Sequence, residues 1–306
     1  MARIQKILAR EVLDSRGNPT VEVEAFTKKN SAKAIVPSGA STGAREAVEL
    51  RDHDSRYKGL GVQNAIHHVR EVLAPKIVGR DCTKQEEIDN LMKELDGTIN
   101  KSKIGANAIL AVSMATCRLA AKETGKPLYQ YIAGLTKQTE YIMPVPFMNV
   151  INGGAHAGNS LEMQEFMIAP IGAKNFTEAA RMCSETYHTL KEILKNLYGK
   201  QAVNVGDEGG FAPPIKRAED CLKILRGAIN ESGYEGQIKI GIDAAATQFC
   251  KEGKYHIDGR ELDDDQLVEY YEQLCQDYPI ISIEDPFNEE AFEGFAKLTK
   301  AVGKNV

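Results

Sequence analysis

The six cysteines, at 82, 117, 183, 221, 250 and 275, include no CxxC pair. Without that spacing they are neither a zinc framework nor a redox motif. They read as small core or surface residues of a reduced, intracellular protein. The chain also has no basic block and no interleaved aromatic stripe. With a formal net charge of −5, this excludes nucleic acid or an anionic membrane as the main partner. No apolar run approaches membrane-spanning length, and the opening MARIQKILAREVLDSRGN is too charged for a signal peptide. The expected location is therefore cytoplasmic. Fixed-period repeats and low-complexity tracts are absent as well. What remains is 306 residues with 42% hydrophobic and 26% charged content, the composition of a soluble globular protein and enough chain for two domains.

The pattern changes character along the chain. Val21, Val23 and Ala25 alternate with Glu22 and Glu24, which predicts antiparallel strands over 1–40 with one buried and one wet face. Helices follow. Val62, Ile66, Val69 and Leu73 share one face. Thr83-Lys84-Gln85-Glu86 reads as a capping box, and Ala108, Val112, Ala115 and Leu119 form a small-residue stripe. This predicts an α+β domain over 1–134. Over 135–306 strand-like and helical segments alternate, including a long helix at 177–198. That alternation predicts the first part of an α/β (TIM-type) barrel built on a parallel sheet. About five strands are countable where a closed barrel needs eight, and another strand is expected to begin at Lys304-Asn305-Val306. The barrel is therefore expected to be incomplete, as in a piece of a longer chain.

Three apolar runs in this second half stop at carboxylates. AVNVGDEGG (202–210) reaches Glu208, IKIGIDAAA (238–246) reaches Asp243, and PIISIEDPF (279–287) reaches Glu284. In parallel barrels functional groups sit at the C-terminal ends of strands, so the three are expected to converge. Clustered carboxylates need a proton or a cation, and an all-oxygen set favours Mg²⁺. The plainer alternative is that each acid caps a helix or a turn. Asp263-Asp264-Asp265 is read in that plainer way, as a helix cap. Gly153 to Gly158 has the GxxxxG spacing, but Asn159 and Ser160 follow where a phosphate loop needs Lys and Ser/Thr. No nucleotide site is expected there.

DSRGNPTVEVE (14–24), VPSGASTG (36–43), ELRD (49–52), NVINGGAHAGN (149–159), MQEFMI (163–168), NVGDEGGFAP (204–213) and SIEDPF (282–287) stand in this order along the whole chain. Together they closely resemble the enolase family. The resemblance implies Mg²⁺-dependent, reversible dehydration of 2-phosphoglycerate to phosphoenolpyruvate by α-proton abstraction and loss of water. It implies two Mg²⁺ ions per active site and a homodimer. Asp243 and Glu284 resemble two of three carboxylate ligands of the first Mg²⁺, and Ser41 a ligand of the second. Glu208, with Glu165 beside it, resembles the acid that assists departure of the hydroxyl. His156 resembles the residue that closes on the substrate phosphate, and Ser38, Gly39 and Ala40 belong to a closing substrate loop. The third aspartate and the proton-abstracting lysine are expected beyond Val306, so this polypeptide alone is expected to be inactive.

Two departures stand out. Gln248 replaces a usual glutamate, and Ala155 stands where serine is common. A reading of a different class is a non-catalytic scaffold or plasminogen-type binding protein that keeps the enolase front half. The chain's end in valine rather than lysine argues against it.

Overall fold

The computed structural model describes residues 2–39, 42–154, 157–206 and 208–306. It divides into two compact units, Met1–Tyr141 and Ile142–Val306.

The first unit opens with a three-stranded antiparallel sheet of β1 (Lys6–Leu13), β2 (Pro19–Phe26) and β3 (Ser31–Ile35), in the order β1-β2-β3. Val21, Val23 and Ala25 are buried, as the alternation predicts. The opposite face is drier than expected. Glu22 is also buried, and it is tolerated because Arg10 and Lys33 from the flanking strands reach it at 3.3 and 3.5 Å. The helical run is α1 (Gln63–His67), a π-helical stretch His68–Leu73 and α2 (Ala74–Ile77), with Val62, Ile66, Val69 and Leu73 all buried. α3 (Gln85–Asp96), α4 (Ala106–Glu123) and α5 (Leu128–Leu135) complete the unit, and the Ala-rich face of α4 packs on β2 and β3. Thr83 does not cap α3. Its hydroxyl donates to Asp81 at 2.9 Å instead, leaving the helix without a side-chain cap.

The second unit is built on a four-stranded sheet in the order β10-β6-β5-β4: β4 is Met148–Asn152, β5 Glu165–Ala169, β6 Lys239–Asp243 and β10 Ile280–Glu284. The sheet is mixed rather than parallel. β4–β5 and β5–β6 are antiparallel, and only β6–β10 is parallel. α6 (Phe176–Tyr198) and α7 (Ala218–Glu231) pack together between β5 and β6 in sequence. A small antiparallel sheet, not foreseen from the sequence, follows with β7 (Cys250–Lys251), β8 (Lys254–Ile257) and β9 (Arg260–Leu262). α8 (Asp264–Asp277) starts from a true capping box between Asp263 and Gln266, and α9 (Phe292–Val302) covers β10's end of the core. Residues 303–305 form a turn after α9, not a strand. Among the described residues no strand pairs with the outer edge of β10, so the barrel is open. Thus an α+β unit precedes an incomplete α/β barrel. No helix among the described residues is long and apolar enough to cross a membrane, and the six cysteines are free.

Candidate active site

The sheet register gathers polar residues into one row. Asn152 pairs with Glu165, Glu165 with Asp243, and Asp243 with Glu284. β6 and β10 end at this row while β5 begins there. Its antiparallel course is what brings Glu165 alongside two strand-end carboxylates. Neighbouring strands lie about 4.8 Å apart, so three acids in adjacent register repel unless something neutralises them.

The electrostatics follow from this packing. Asp243 is pushed up to about 6, first by burial and then by the charge of Glu284. The Ala245 amide, which donates to its Oδ1 at 3.0 Å, pulls the other way. Glu165 rises further, to about 8, through burial and then through its hydrogen bond to Glu208, with Asp243 and Glu284 adding to the effect. Glu165 therefore keeps its proton near neutral pH while hydrogen-bonded to Glu208. Both strand exits are tightly turned. Ala245 (φ 47°) and Asp285 (φ 43°) are left-handed, and Ala244 and Ala246 donate to the carbonyls of Glu284 and Asp285, each at 3.0 Å. Such conformations cost about 1–3 kcal/mol each and cluster at functional sites.

Glu208 reaches the row by a route that differs from expectation. Residues Lys200–Val203 form a 3-10 turn rather than a strand, because Gly199 leaves α6 with a positive φ and tightens the exit. Phe211 then takes a strand-like place beside β4. Its N–H donates to Val150 at 2.9 Å and its carbonyl accepts from Asn152 at 2.8 Å. The turn carrying Glu208 is closed by Gly206 N–H to Gly210 O at 2.8 Å. Tyr187 of α6 stacks on Phe211 with ring centroids 4.3 Å apart and donates its hydroxyl to Gly209 O at 3.0 Å. Asn149 Nδ2 lies 3.5 Å from Glu208 Oε2. Gly210 has to be glycine, since a Cβ there would stand 3.0 Å from Asn149 Oδ1 and closer still to Asn152 Oδ1.

Three polar atoms beside the row are buried without a partner among the described residues: Asn149 Oδ1, Asn152 Oδ1 and Asn152 Nδ2. Sequence reasoning passed over Asn149, Asn152, Gln164 and Tyr187. The only signal for the asparagines was an amide-bearing pair in a strand otherwise built from apolar residues.

Ser38 and Gly39 lie in the first unit. Arg16 Nη2 donates to their carbonyls at 2.9 and 3.2 Å, and Arg51 Nη2 stands 3.2 Å from the Ser38 hydroxyl. Ala40, Ser41 and His156 fall outside the described residues.

Glu208, Asp243 and Glu284 stand near enough to act on one another: Glu284 and Glu208 both raise Asp243, and all three raise Glu165 beyond the effect of burial. Among the described residues no three His, Cys, Asp or Glu side chains stand together as a metal-holding group. Glu208 hydrogen-bonds to Glu165, and Asp243 pairs with Glu284 in the β6–β10 register. The donor set of that pair still suits a hard cation. It is all oxygen, and the mutual repulsion that raises Asp243 is relieved by positive charge.

An α+β unit followed by a barrel-type unit with carboxylates drawn to one end of its sheet is the organisation of a two-domain barrel enzyme. Residues 4–132 match the family model of the enolase N-terminal domain, and residues 140–306 match that of the enolase C-terminal TIM barrel domain. The enolase of Methanocaldococcus jannaschii is 55% identical over 298 residues, covering 97% of this chain and 70% of the relative. That of Thermococcus kodakarensis is 55% identical over 99% of this chain and 71% of its own, and that of Methanococcus aeolicus 56% identical over 97% and 70%. The chain belongs to the enolase family. It has the sequence of an enzyme of the phosphopyruvate hydratase kind, and the family implies a metal cofactor and a small-molecule substrate.

Proposed function

We propose that the carboxylate row serves the reversible dehydration of 2-phosphoglycerate to phosphoenolpyruvate, with Mg²⁺ as the metal, two ions per active site. The observation that carries this reading is the division of the row into two pairs. In one pair Glu165 holds a proton at neutral pH and hydrogen-bonds to Glu208, and in the other Asp243 and Glu284 stand side by side in the β6–β10 register.

Asp243 and Glu284 would hold the first ion, and Ser41 would contribute to the second. When bound, Mg²⁺ supplies positive charge where the substrate carboxylate accumulates negative charge, an effect whose loss costs about 3–4 kcal/mol. The Cα–H bond breaks towards a base, which in the family reading is a lysine outside these 306 residues. Its electrons form the Cα–Cβ double bond as the Cβ–O bond breaks. Hydroxide is a poor leaving group, so the proton that Glu165 holds is passed through Glu208 to that oxygen, which departs as water. Glu165 holds the proton in place beforehand and shares the charge left behind. His156 would close on the phosphate, and the loop of Ser38, Gly39, Ala40 and Ser41 would exclude water. A homodimer and a cytoplasmic setting accompany this reading, the latter supported by the free thiols.

The direct test is to supply the protein in its native length with 2-phosphoglycerate and follow phosphoenolpyruvate with Mg²⁺ and then with chelator. Turnover that depends on the cation supports the reading, and cation-independent turnover or none refutes it. The isolated 306-residue polypeptide holds two of the three expected ligands and an open sheet, and is expected to form no phosphoenolpyruvate. Product formation by that polypeptide would show that a base lies within it.

A further inference from the structure

The carboxylate of Asp243 is held from two sides. Its Oδ1 accepts the Ala245 amide, and its Oδ2 accepts from Gln164 Nε2 at 3.2 Å. Gln164 is buried, and its backbone is fixed as well, since its N–H donates to Asp243 O at 3.1 Å and its carbonyl accepts from Gly153 at 2.9 Å. Its side-chain amide can nevertheless turn over. What fixes it is Gln248, whose Nε2 donates to Gln164 Oε1 at 2.9 Å.

The direction of this chain is dictated by chemistry. An ionised carboxylate only accepts, so Gln164 must turn its NH₂ towards Asp243, which leaves its oxygen facing residue 248. That oxygen needs a donor. Gln248 supplies one, and the glutamate usual in the family at this position, when ionised, would not. A Gln164 amide turned over would set its oxygen against Asp243 Oδ2 and remove one of the two bonds that aim the carboxylate.

We propose that Gln248 is a positioning residue for the cation site, acting through Gln164 to lock the Asp243 carboxylate in the orientation that leaves one lone pair on each oxygen free for a divalent cation. The inference rests on Asp243 being a metal ligand. Gln248 itself is exposed, and its bond to the Gln164 amide is its route to the Asp243 carboxylate. Outer partners of metal ligands typically govern affinity by about 10–100-fold.

The experiment is a double-mutant cycle on the native-length protein, with Mg²⁺ alone as the probe and its Kd read by calorimetry without substrate. Q248M, at an exposed position, is expected to fold normally and to raise the Kd about 10-fold. Q164M is expected to raise it at least as much, and the double variant no further, since the two act in series. If Q164M does not fold, the side-chain NH₂ resonance of Gln164 by NMR replaces that arm and is expected to shift in Q248M. A Kd for Q248M within twofold of the parent overturns the proposal. So do additive effects in the double variant, or an unmoved Gln164 resonance. D243N separates the two levels. If it leaves Mg²⁺ affinity unchanged, the ligand assignment fails. If it abolishes binding while Q248M has no effect, only the relay fails.

Discussion

Replacing Glu165 with glutamine should stabilise the metal-free protein in alkaline solution while destroying the site's chemistry. Glu165 titrates near 4.5 when exposed and is raised to about 8 in the folded chain. A carboxyl raised in this way favours the folded state fully below about pH 4.5, and that favour is lost as pH rises through 8. At about 1.4 kcal/mol per pH unit the displacement would be worth ~5 kcal/mol in a fully shielded site. The side chain is only half buried, and solvent screening reduces this to about 1–2 kcal/mol. E165Q carries the neutral form at every pH and can still donate to Glu208. Urea unfolding in chelator, followed by far-UV circular dichroism, should therefore show E165Q equal to the parent at pH 4 and more stable by about 1–2 kcal/mol at pH 8. Equal stabilities at pH 8, or a gain of the same size at both pH values, would refute the reasoning that the row is held together against its own charge.

Other outcomes follow from the same geometry. Mg²⁺ binding near pH 6, where Asp243 is about half protonated, should release protons, and fewer at pH 7.5. Calorimetry in buffers of different ionisation enthalpy measures this, and proton uptake would contradict it. Y187F keeps the ring on Phe211 but loses the bond to Gly209 O. Equilibrium unfolding should show a loss of about 0.5–1.5 kcal/mol. G210A forces a Cβ against Asn149 and Asn152. It should cost about 1–3 kcal/mol and lower kcat by displacing the Glu208 turn, which steady-state kinetics and thermal unfolding report together.

The helices and the carboxyl-bearing strand ends were legible in the sequence because periodicity and strand-end acids are local signals. Asp243 and Glu284 terminate β6 and β10 as the apolar runs imply. Strand direction was not legible. Nothing local shows that β5 runs opposite to β6, yet that reversal puts Glu165 in register with Asp243. The segment before Glu208 misled because its β-branched valines look like a strand. Gly199 and the glycines after Glu208 instead favour turns, and isolated bridges from Phe211 to Ile151 and to Val205 take the strand's place. The expected cap at Thr83 did not form because α3 starts one residue later, at Gln85 with Lys84 at its N-cap, while the Thr83 hydroxyl donates back to Asp81. The Gln248–Gln164–Asp243 chain spans residues far apart in sequence, so the consequence of a glutamine at 248 emerges only once the three are assembled.

The most direct measurement of the central claim is the kcat of E208Q against the parent in the native-length protein, with Mg²⁺ affinity read in parallel. If Glu208 delivers the proton to the departing hydroxyl, kcat falls by about 100-fold or more while the Mg²⁺ Kd stays within a fewfold. A kcat within a fewfold of the parent would contradict the account, because the proton that Glu165 holds against Glu208 would then have no part in the reaction.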